Sequence, residues 1–287
     1  MTISRRDFLN LIQLFSVGSL IALTTNKLLA KTPKEKINIG IQLWSVRNEL
    51  ENDLFVTLKA LSDMGVTGIE PYNFDGKFYG IEPRKFKKMC DDINLKIYST
   101  HTPITIDNAP LYVEKALEAG LEYLILPSLM NRPRNSISDY QKVAEELNAI
   151  GEICLQHNII FGYHNHSFEF IKIDGSIPYD ILLKDTDPQL VSFQCDIYWL
   201  VKAGYNPADY FKKYPHRFKS LHIKDMNHDG DSCIVGNGTI DFPKLLISPG
   251  LTGNELIIYE QEHYSEGAPL YCAQQSIQYI QSHFFNS

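Results

Sequence analysis

The chain has 287 residues, 44% hydrophobic and 21% charged, which is an ordinary balance for a globular protein. The formal net charge of −7 argues against a nucleic-acid backbone as partner. Five widely spaced cysteines without a CxxC pair do not indicate a disulfide framework.

The first thirty residues are predicted to be a targeting segment rather than part of the fold. Arg5 and Arg6 precede a mostly apolar run from Leu11 to Leu23, a pattern that resembles a twin-arginine export signal. The run is shorter than the roughly 20 residues that span a bilayer. Ala30 is a plausible cleavage point, although Leu28 is large for the third position before it. We therefore expect an exported, periplasmic protein without stable membrane insertion, and an uncleaved membrane anchor is the alternative.

From residue 37 onward, apolar runs alternate with amphipathic stretches. Eight short runs rich in Ile, Val, Leu and Tyr are predicted as strands buried on both faces: Ile37–Trp44, Gly68–Pro71, Lys96–Thr100, Tyr123–Pro127, Ile159–His164, Leu190–Asp196, Phe218–Ile223 and Glu255–Glu260. Eight helices are predicted between and after them: Asp53–Met64, Pro83–Ile93, Pro110–Ala119, Ser138–His157, Tyr179–Leu183, Pro207–Tyr214, Phe242–Leu246 and Leu270–Phe284.

This alternation predicts an α/β fold, a single (β/α)8 barrel over residues 37–287. A doubly wound open sheet is the main rival. It would normally carry a glycine-rich phosphate turn after an early strand, and neither GxGxxG nor GxxxxGK[ST] occurs in the sequence.

Polar residues stand at the carboxyl ends of six predicted strands, which is where such a barrel places its active site. They are Glu70, His101, His164 with His166 and Glu169, Asp196, His222 with Lys224, and Glu260. Any one of them could be a structural group, such as a helix N-cap. So many buried ionisable groups are costly unless they are paired or bind a metal. The mixture of imidazoles and carboxylates predicts one divalent ion, Mn, Zn, Fe or Co rather than Mg or Ca.

Four segments carry a resemblance to a known family: GYHNHSFEF, FQCDIYWLVKAG, SLHIKDM with VGNGTIDF, and IIYEQEHY. They resemble the sugar phosphate isomerase/epimerase family of xylose isomerase-like TIM barrels, whose relatives include hexulose epimerases, inosose dehydratase and type IV apurinic endonucleases. The resemblance implies metal ligation by Asp196, His222 and Glu260. The family's fourth ligand is a strand 5 carboxylate, and its place falls on or near His164. A mechanism that uses two glutamates on opposite faces of the substrate carbon is therefore in doubt.

The resemblance also implies proton abstraction next to a sugar carbonyl through an enediolate. Glu260, His166 and Lys224 are the candidate bases, in that order, although a lysine here suits donation to an oxyanion better. Return of the proton gives epimerisation or isomerisation, and loss of a β-substituent gives dehydration or glycoside elimination. An endonuclease IV-like metallohydrolase and a non-catalytic sugar-binding barrel remain further alternatives.

The expected substrate is a small sugar or keto-sugar without a phosphate. Export disfavours phosphorylated intermediates, and no basic phosphate clamp is evident in the sequence. Aromatic residues near the strand ends would suit stacking on a sugar ring: Trp44, Tyr72, Phe74, Tyr198 and Trp199. We predict Trp44, Glu70, His101, Glu169 and Trp199 as substrate contacts. The sequence does not indicate the oligomeric state.

Overall fold

The computed structural model describes residues 38–252 and 255–284, so the predicted export signal at residues 1–30 lies outside the described residues. The strands are β1 Ile39–Gln42, β2 Gly68–Glu70, β3 Lys96–Ile97, β4 Tyr123–Leu126, β5 Ile160–His164, β6 Val191–Asp196, β7 Phe218–Ile223, β8 Asp225–Met226, β9 Ser232–Cys233 and β10 Leu256–Tyr259.

Eight parallel strands form one curled sheet in the order β3-β2-β1-β10-β7-β6-β5-β4. The two outer strands meet at a parallel bridge between His101 and Ile125. There the Ile125 amide donates to the Thr100 carbonyl at 3.0 Å, and the Thr102 amide donates to the Ile125 carbonyl at 2.8 Å. These contacts close the sheet, which confirms the predicted (β/α)8 barrel. The remaining strands, β8 and β9, pair as a small antiparallel hairpin.

Ten α-helices are described: α1 Arg47–Asn52, α2 Leu54–Asp63, α3 Pro83–Asp91, α4 Ala109–Glu118, α5 Ile137–Leu155, α6 Pro178–Asp185, α7 Ile197–Lys202, α8 Pro207–Lys213, α9 Phe242–Leu246 and α10 Pro269–His283. Short 3-10 turns cover Leu43–Val46 and Phe168–Phe170. In the described part of the chain, no helix is long and apolar enough to cross a membrane.

The structure corrects several predicted boundaries. The third strand is only Lys96–Ile97 and is followed by extended chain up to the bridge at His101. Trp44 lies in the 3-10 turn after β1 rather than in the strand. The N-cap of α5 is Ser136, two residues before the predicted start of this helix at Ser138. The Ser136 hydroxyl accepts from the Asp139 amide at 3.1 Å, and the Asp139 carboxylate accepts from the Ser136 amide at 3.0 Å.

The core consists of apolar side chains between the strands and the surrounding helices, with large rings such as Phe86, Phe161 and Phe193 fully buried. Inside the barrel, near the carboxyl ends of the strands, the buried residues are polar instead. Gln42, Glu70, Gln194, Ser220 and His222 are each at most 2% exposed. The site is built on this polar layer.

Candidate metal centre and substrate cavity

Four strand ends bring a candidate metal centre together. His164 ends β5, Asp196 ends β6, His222 lies in β7 and Glu260 directly follows β10. Each side chain offers one ligand atom, and these four atoms lie within 4.8 Å of one another. All four residues are buried. They are the four residues that the sequence predicts as ligands.

The two carboxylate oxygens of Asp196 differ in their hydrogen bonding. Oδ1 accepts from the Trp199 amide at 3.0 Å and so caps α7. Oδ2 has no hydrogen-bond partner among the described residues, and His164 Nε2 and Lys224 Nζ each lie 3.8 Å from it. Burial raises the pKa of Asp196 to about 7 against the lowering effect of Lys224. An unpartnered buried carboxylate oxygen is costly, so this atom points to a ligand.

His222 lies between two carboxylates. Its Nε2 is 2.8 Å from Glu70 Oε1, and its Nδ1 is 3.2 Å from Glu260 Oε2. Burial alone would lower the pKa of His222, but the charges of Glu70 and Glu260 raise it to about 10. Burial likewise would raise the pKa of Glu260, yet Lys224 and His222 hold it well below its ordinary value.

These residues fit a divalent transition metal. Two imidazoles and two carboxylates are a donor set that Zn, Mn, Fe and Co accept, and the open Oδ2 of Asp196 supplies an unused acceptor. His101, His164 and His222 also lie close enough to form a three-histidine group. That group is the poorer fit because the Nε2 atoms of His101 and His222 already contact Glu70 Oε1, at 3.1 and 2.8 Å.

Lys224 is fully buried beside the candidate ligands. Its Nζ lies 3.4 Å from Glu260 Oε2, contacts Glu262, and stands over the rings of Tyr198 and Trp199 at 4.9 and 4.8 Å. Burial would lower the pKa of Lys224, but Glu260 and Asp196 raise it above its ordinary value. This upward shift favours the role of hydrogen-bond donor to an oxyanion over that of a base for Lys224.

His166 lies between aromatic rings at the edge of the site. Its ring stacks on Phe168 with centroids 5.8 Å apart and stands 5.5 Å from Trp199. Burial lowers the pKa of His166 to about 4, and the charge of Lys224 adds to the effect. Its buried Nδ1 has no partner among the described residues. A neutral imidazole with a free nitrogen can accept a proton or a hydrogen bond.

The site opens into a cavity of about 170 Å³. Its wall combines aromatic, imidazole and carboxylate side chains: Trp44, Tyr72, Asn73, His101, Pro127, His164, His166, Glu260 and Glu262. Among these described lining residues there is no lysine or arginine. Trp44 is 40% exposed and meets the Tyr72 ring edge-on at 5.0 Å.

Three predicted substrate contacts do not lie on this wall. Glu70 is fully buried beneath the imidazoles. Glu169 is also fully buried, where it accepts from the Tyr163 hydroxyl at 2.6 Å and the His166 amide at 3.0 Å. Trp199 packs against Lys224 and His166 behind the wall. The Phe74 ring is buried in the core.

Two residues of the site were not among the predicted contacts. Gln194 lies two residues before Asp196, and Glu262 lies two residues after Glu260. The two-residue period of a strand places Gln194 on the same inward face as Asp196. That period is the signal that could have identified it.

A larger groove, of about 560 Å³, lies elsewhere on the molecule, between the α7–α8 turn and α9. It is lined mainly by apolar and small polar side chains, with Asp241 and Lys244 as the charged residues among them. We place the chemistry in the smaller cavity because the convergent histidines and carboxylates are there.

The fold and the site together are those of a TIM-barrel enzyme, in which the polar residues of the active site lie at the carboxyl ends of the strands. The chain belongs to the xylose isomerase-like TIM barrel family, whose model matches residues 58–282.

Two known relatives are named as sugar-modifying enzymes. A solved sugar phosphate isomerase/epimerase from Parabacteroides distasonis is 30% identical, with a TM-score of 0.77 over 88% of this chain and 95% of that one. An inosose dehydratase from Clostridium botulinum is 29% identical over 163 residues, which are 50% of this chain and 54% of the relative. The chain thus matches only about half the length of that curated relative. The IOLI protein, solved with a bound zinc atom, shares the fold at 14% identity with a TM-score of 0.67, over 88% of this chain and all of that one.

Proposed function

We propose that this protein is a metal-dependent enzyme that removes a proton from the carbon next to a carbonyl in a sugar or keto-sugar without a phosphate. The observation that supports this most directly is the convergence of His164, Asp196, His222 and Glu260 within 4.8 Å beside the cavity. Return of the proton to carbon would make the enzyme an isomerase or epimerase.

The proposed holders of the metal are those four side chains, and the ion, when bound, supplies Lewis-acid polarisation of substrate oxygens. The protein's own contribution is to bind and orient the sugar, move a proton and stabilise charge. Zinc in the IOLI protein agrees with this donor set.

Proton removal is assigned to Glu260 or His166. Both lie on the cavity wall. Glu260 stays ionised because Lys224 and His222 hold its pKa low, whereas His166 stays neutral with an open Nδ1. Lys224 does not line the cavity, but its Nζ lies 3.4 Å from Glu260 Oε2 on the wall. The role proposed for this ammonium is to donate to the oxygen that gains negative charge as the proton leaves.

The substrate class follows from the wall of the cavity. It has aromatic faces at Trp44 and Tyr72, hydrogen-bonding groups at Asn73 and Glu262, and no cationic side chain among its described lining residues. The carboxylates of the wall would repel a phosphate dianion, and no lysine or arginine among the described lining residues would bind it. Sugar hydroxyls, in contrast, can donate hydrogen bonds to those carboxylates.

Elimination is the second candidate outcome. A curated relative is an inosose dehydratase, and the strand 5 residue is His164 rather than a second glutamate base. After proton removal, loss of a β-hydroxyl or β-glycosyl group would make the enzyme a lyase. A type IV endonuclease activity has less support because the wall is acidic, and a non-catalytic sugar-binding role would leave the metal set unexplained.

Elemental analysis followed by NMR in D2O tests the proposal. Purified protein, reloaded with Mn or Zn, is incubated with a panel of neutral sugars and 3-keto-sugars. Solvent deuterium that enters a single carbon of the sugar supports an isomerase or epimerase, and a product lighter by water or by an aglycone supports a lyase. Full turnover in metal-free protein would refute the metal-dependent mechanism. Nicking of abasic DNA would favour the endonuclease.

We also propose that the protein is exported. The support is the Arg5-Arg6 pair before the apolar run from Leu11 to Leu23.

A further inference from the structure

Glu70 and Gln194 form the floor of the site without lying on its cavity wall. Both are fully buried. Glu70 Oε2 accepts from Ser99 and, at 2.8 Å, from Gln194 Nε2, while Oε1 accepts from Gln42 Nε2 at 2.8 Å. The burial of a carboxylate is costly, and four hydrogen bonds to these two oxygens offset that cost, while His101 Nε2 lies 3.1 Å from Oε1.

The chemistry of these groups fixes the direction of each hydrogen bond. An ionised carboxylate can only accept, so the Gln194 amide must present Nε2 to Glu70. Its other end, Oε1, then faces His101 Nε2 at 2.8 Å and His164 Nδ1 at 3.0 Å. A carbonyl oxygen also only accepts. Both of these imidazole nitrogens therefore carry a proton.

The same reasoning applies to His222. Its Nε2 is 2.8 Å from Glu70 Oε1 and must donate to it. His164 Nε2 is then the nitrogen that faces Asp196 Oδ2, at 3.8 Å, and His222 Nδ1 is the nitrogen that faces Glu260 Oε2, at 3.2 Å. In both His164 and His222, the nitrogen that is hydrogen-bonded to Gln194 or Glu70 is therefore not the nitrogen that faces the candidate carboxylate ligand.

We propose that Glu70 and Gln194 are positioning residues that select the tautomers of His164 and His222, so that His164 Nε2 and His222 Nδ1 are the atoms offered to a metal. This inference rests on the metal site of the proposed function. It also accounts for the histidine at the end of strand 5. A carboxylate ligand needs no tautomer control, whereas an imidazole binds through one nitrogen and must have its other nitrogen held. Gln194 holds it.

Nitrogen-15 NMR of the histidine rings tests the assignment without reference to turnover. The protein is labelled at histidine, and spectra are recorded metal-free and with zinc. His164→Gln and His222→Gln variants identify the signals. We expect the proton of His164 on Nδ1 in both states, and in the zinc form the proton of His222 on Nε2. A proton on Nε2 of His164 in the wild-type protein would overturn the inference even if no variant folds.

Variants of Gln194 separate positioning from packing. Gln194→Met keeps the shape but loses the side-chain hydrogen bonds to Glu70, His101, His164 and Ser220, and we expect zinc binding to weaken about ten- to a hundredfold. Gln194→Glu, when protonated, can still donate to Glu70 and accept from His164, so it should recover most of that loss. The matched control is Gln261→Met, because Gln261 is also fully buried but contacts Tyr259 and the His263 carbonyl instead.

The outcomes distinguish this inference from the proposed function. Wild-type zinc affinity and tautomers in Gln194→Met would overturn the positioning role, whatever the enzyme's activity. Equal losses of affinity in Gln194→Met and Gln261→Met would assign the effect to packing and also overturn it. Inactivity toward every sugar, combined with the expected tautomers, would count against the proposed reaction and leave the positioning role supported.

Discussion

Removal of the Lys224 ammonium should abolish most of the turnover while the metal stays bound. Lys224→Met keeps the length of the side chain but removes a charge that lies 3.4 Å from Glu260 Oε2 and 3.8 Å from Asp196 Oδ2. Loss of one preorganised donor to a developing oxyanion typically lowers kcat about 10²- to 10³-fold. Metal affinity should be unchanged or higher, because a positive charge that repels a cation has been removed from beside its ligands.

The metal-free variant should be unstable, since Asp196, Glu260 and Glu262 lose their shared counter-charge. At an effective dielectric of about 20, a pair of charges 3.4 Å apart interacts by about 5 kcal/mol before desolvation. Breaking a buried pair typically costs about 3–5 kcal/mol. Thermal unfolding with a chelator should therefore show a melting temperature lower by roughly 6–20 °C. A bound metal should restore much of the loss.

The assay combines metal content, kcat and thermal unfolding, with Lys202→Met as the matched control. Lys202 also stands over the Tyr198 and Trp199 rings, at 5.1 and 5.4 Å, but it is solvent-exposed and has no contact with the candidate ligands. We expect the control to keep its turnover. A fully metal-loaded Lys224→Met variant with kcat within twofold of wild type would refute the donor role, and loss of the metal would refute the electrostatic reasoning.

Three further outcomes are expected. Asp196→Ala and His222→Ala should lose metal and turnover together, measured by elemental analysis and the D2O assay; activity that survives without metal would contradict the ligand assignment. Trp44→Ala should raise KM about five- to tenfold with little change in kcat, from about 1 kcal/mol of lost aromatic contact. The unfolding free energy of this variant should change little because Trp44 is 40% exposed, and an unchanged KM would remove the stacking role. Replacement of Arg5 and Arg6 by lysines should keep the protein in the cytoplasmic fraction on cell fractionation; normal export of that variant would argue against a twin-arginine signal.

The sequence predicts the barrel well because its signals are local. Each strand is a short apolar run with a polar residue at or beside its carboxyl end, so His164, Asp196, His222 and Glu260 could be named as candidates without any knowledge of contacts. Their expected role as metal ligands comes from the family resemblance. Their convergence then follows from the fold, since parallel strands place their carboxyl ends at one side. The third strand is predicted too long because the chain from Tyr98 to Thr100 remains extended but lacks the regular ladder.

The parts that the sequence does not predict depend on distant partners. Glu70 and Gln194 are 124 residues apart and meet only through the closed sheet. The direction of the pKa shift of Lys224 depends on the carboxylates of Asp196, Glu260 and Glu262, which come from two other segments. Glu169 is predicted as a substrate contact from its place in the YHNHSFEF segment. Its carboxylate is instead buried, and it accepts hydrogen bonds from the Tyr163 hydroxyl and the His166 amide.

The register of the sheet separates two polar levels inside the barrel. Gln194 pairs with Ser220, and two residues further on Asp196 pairs with His222. Because side chains alternate across a strand, both pairs point inward, one level above the other. The upper level holds the candidate ligands Asp196 and His222, while the lower level holds Gln194, which we propose orients His164. All four paired residues lie within β6 and β7, so the strands themselves set the orientation of these two candidate ligands.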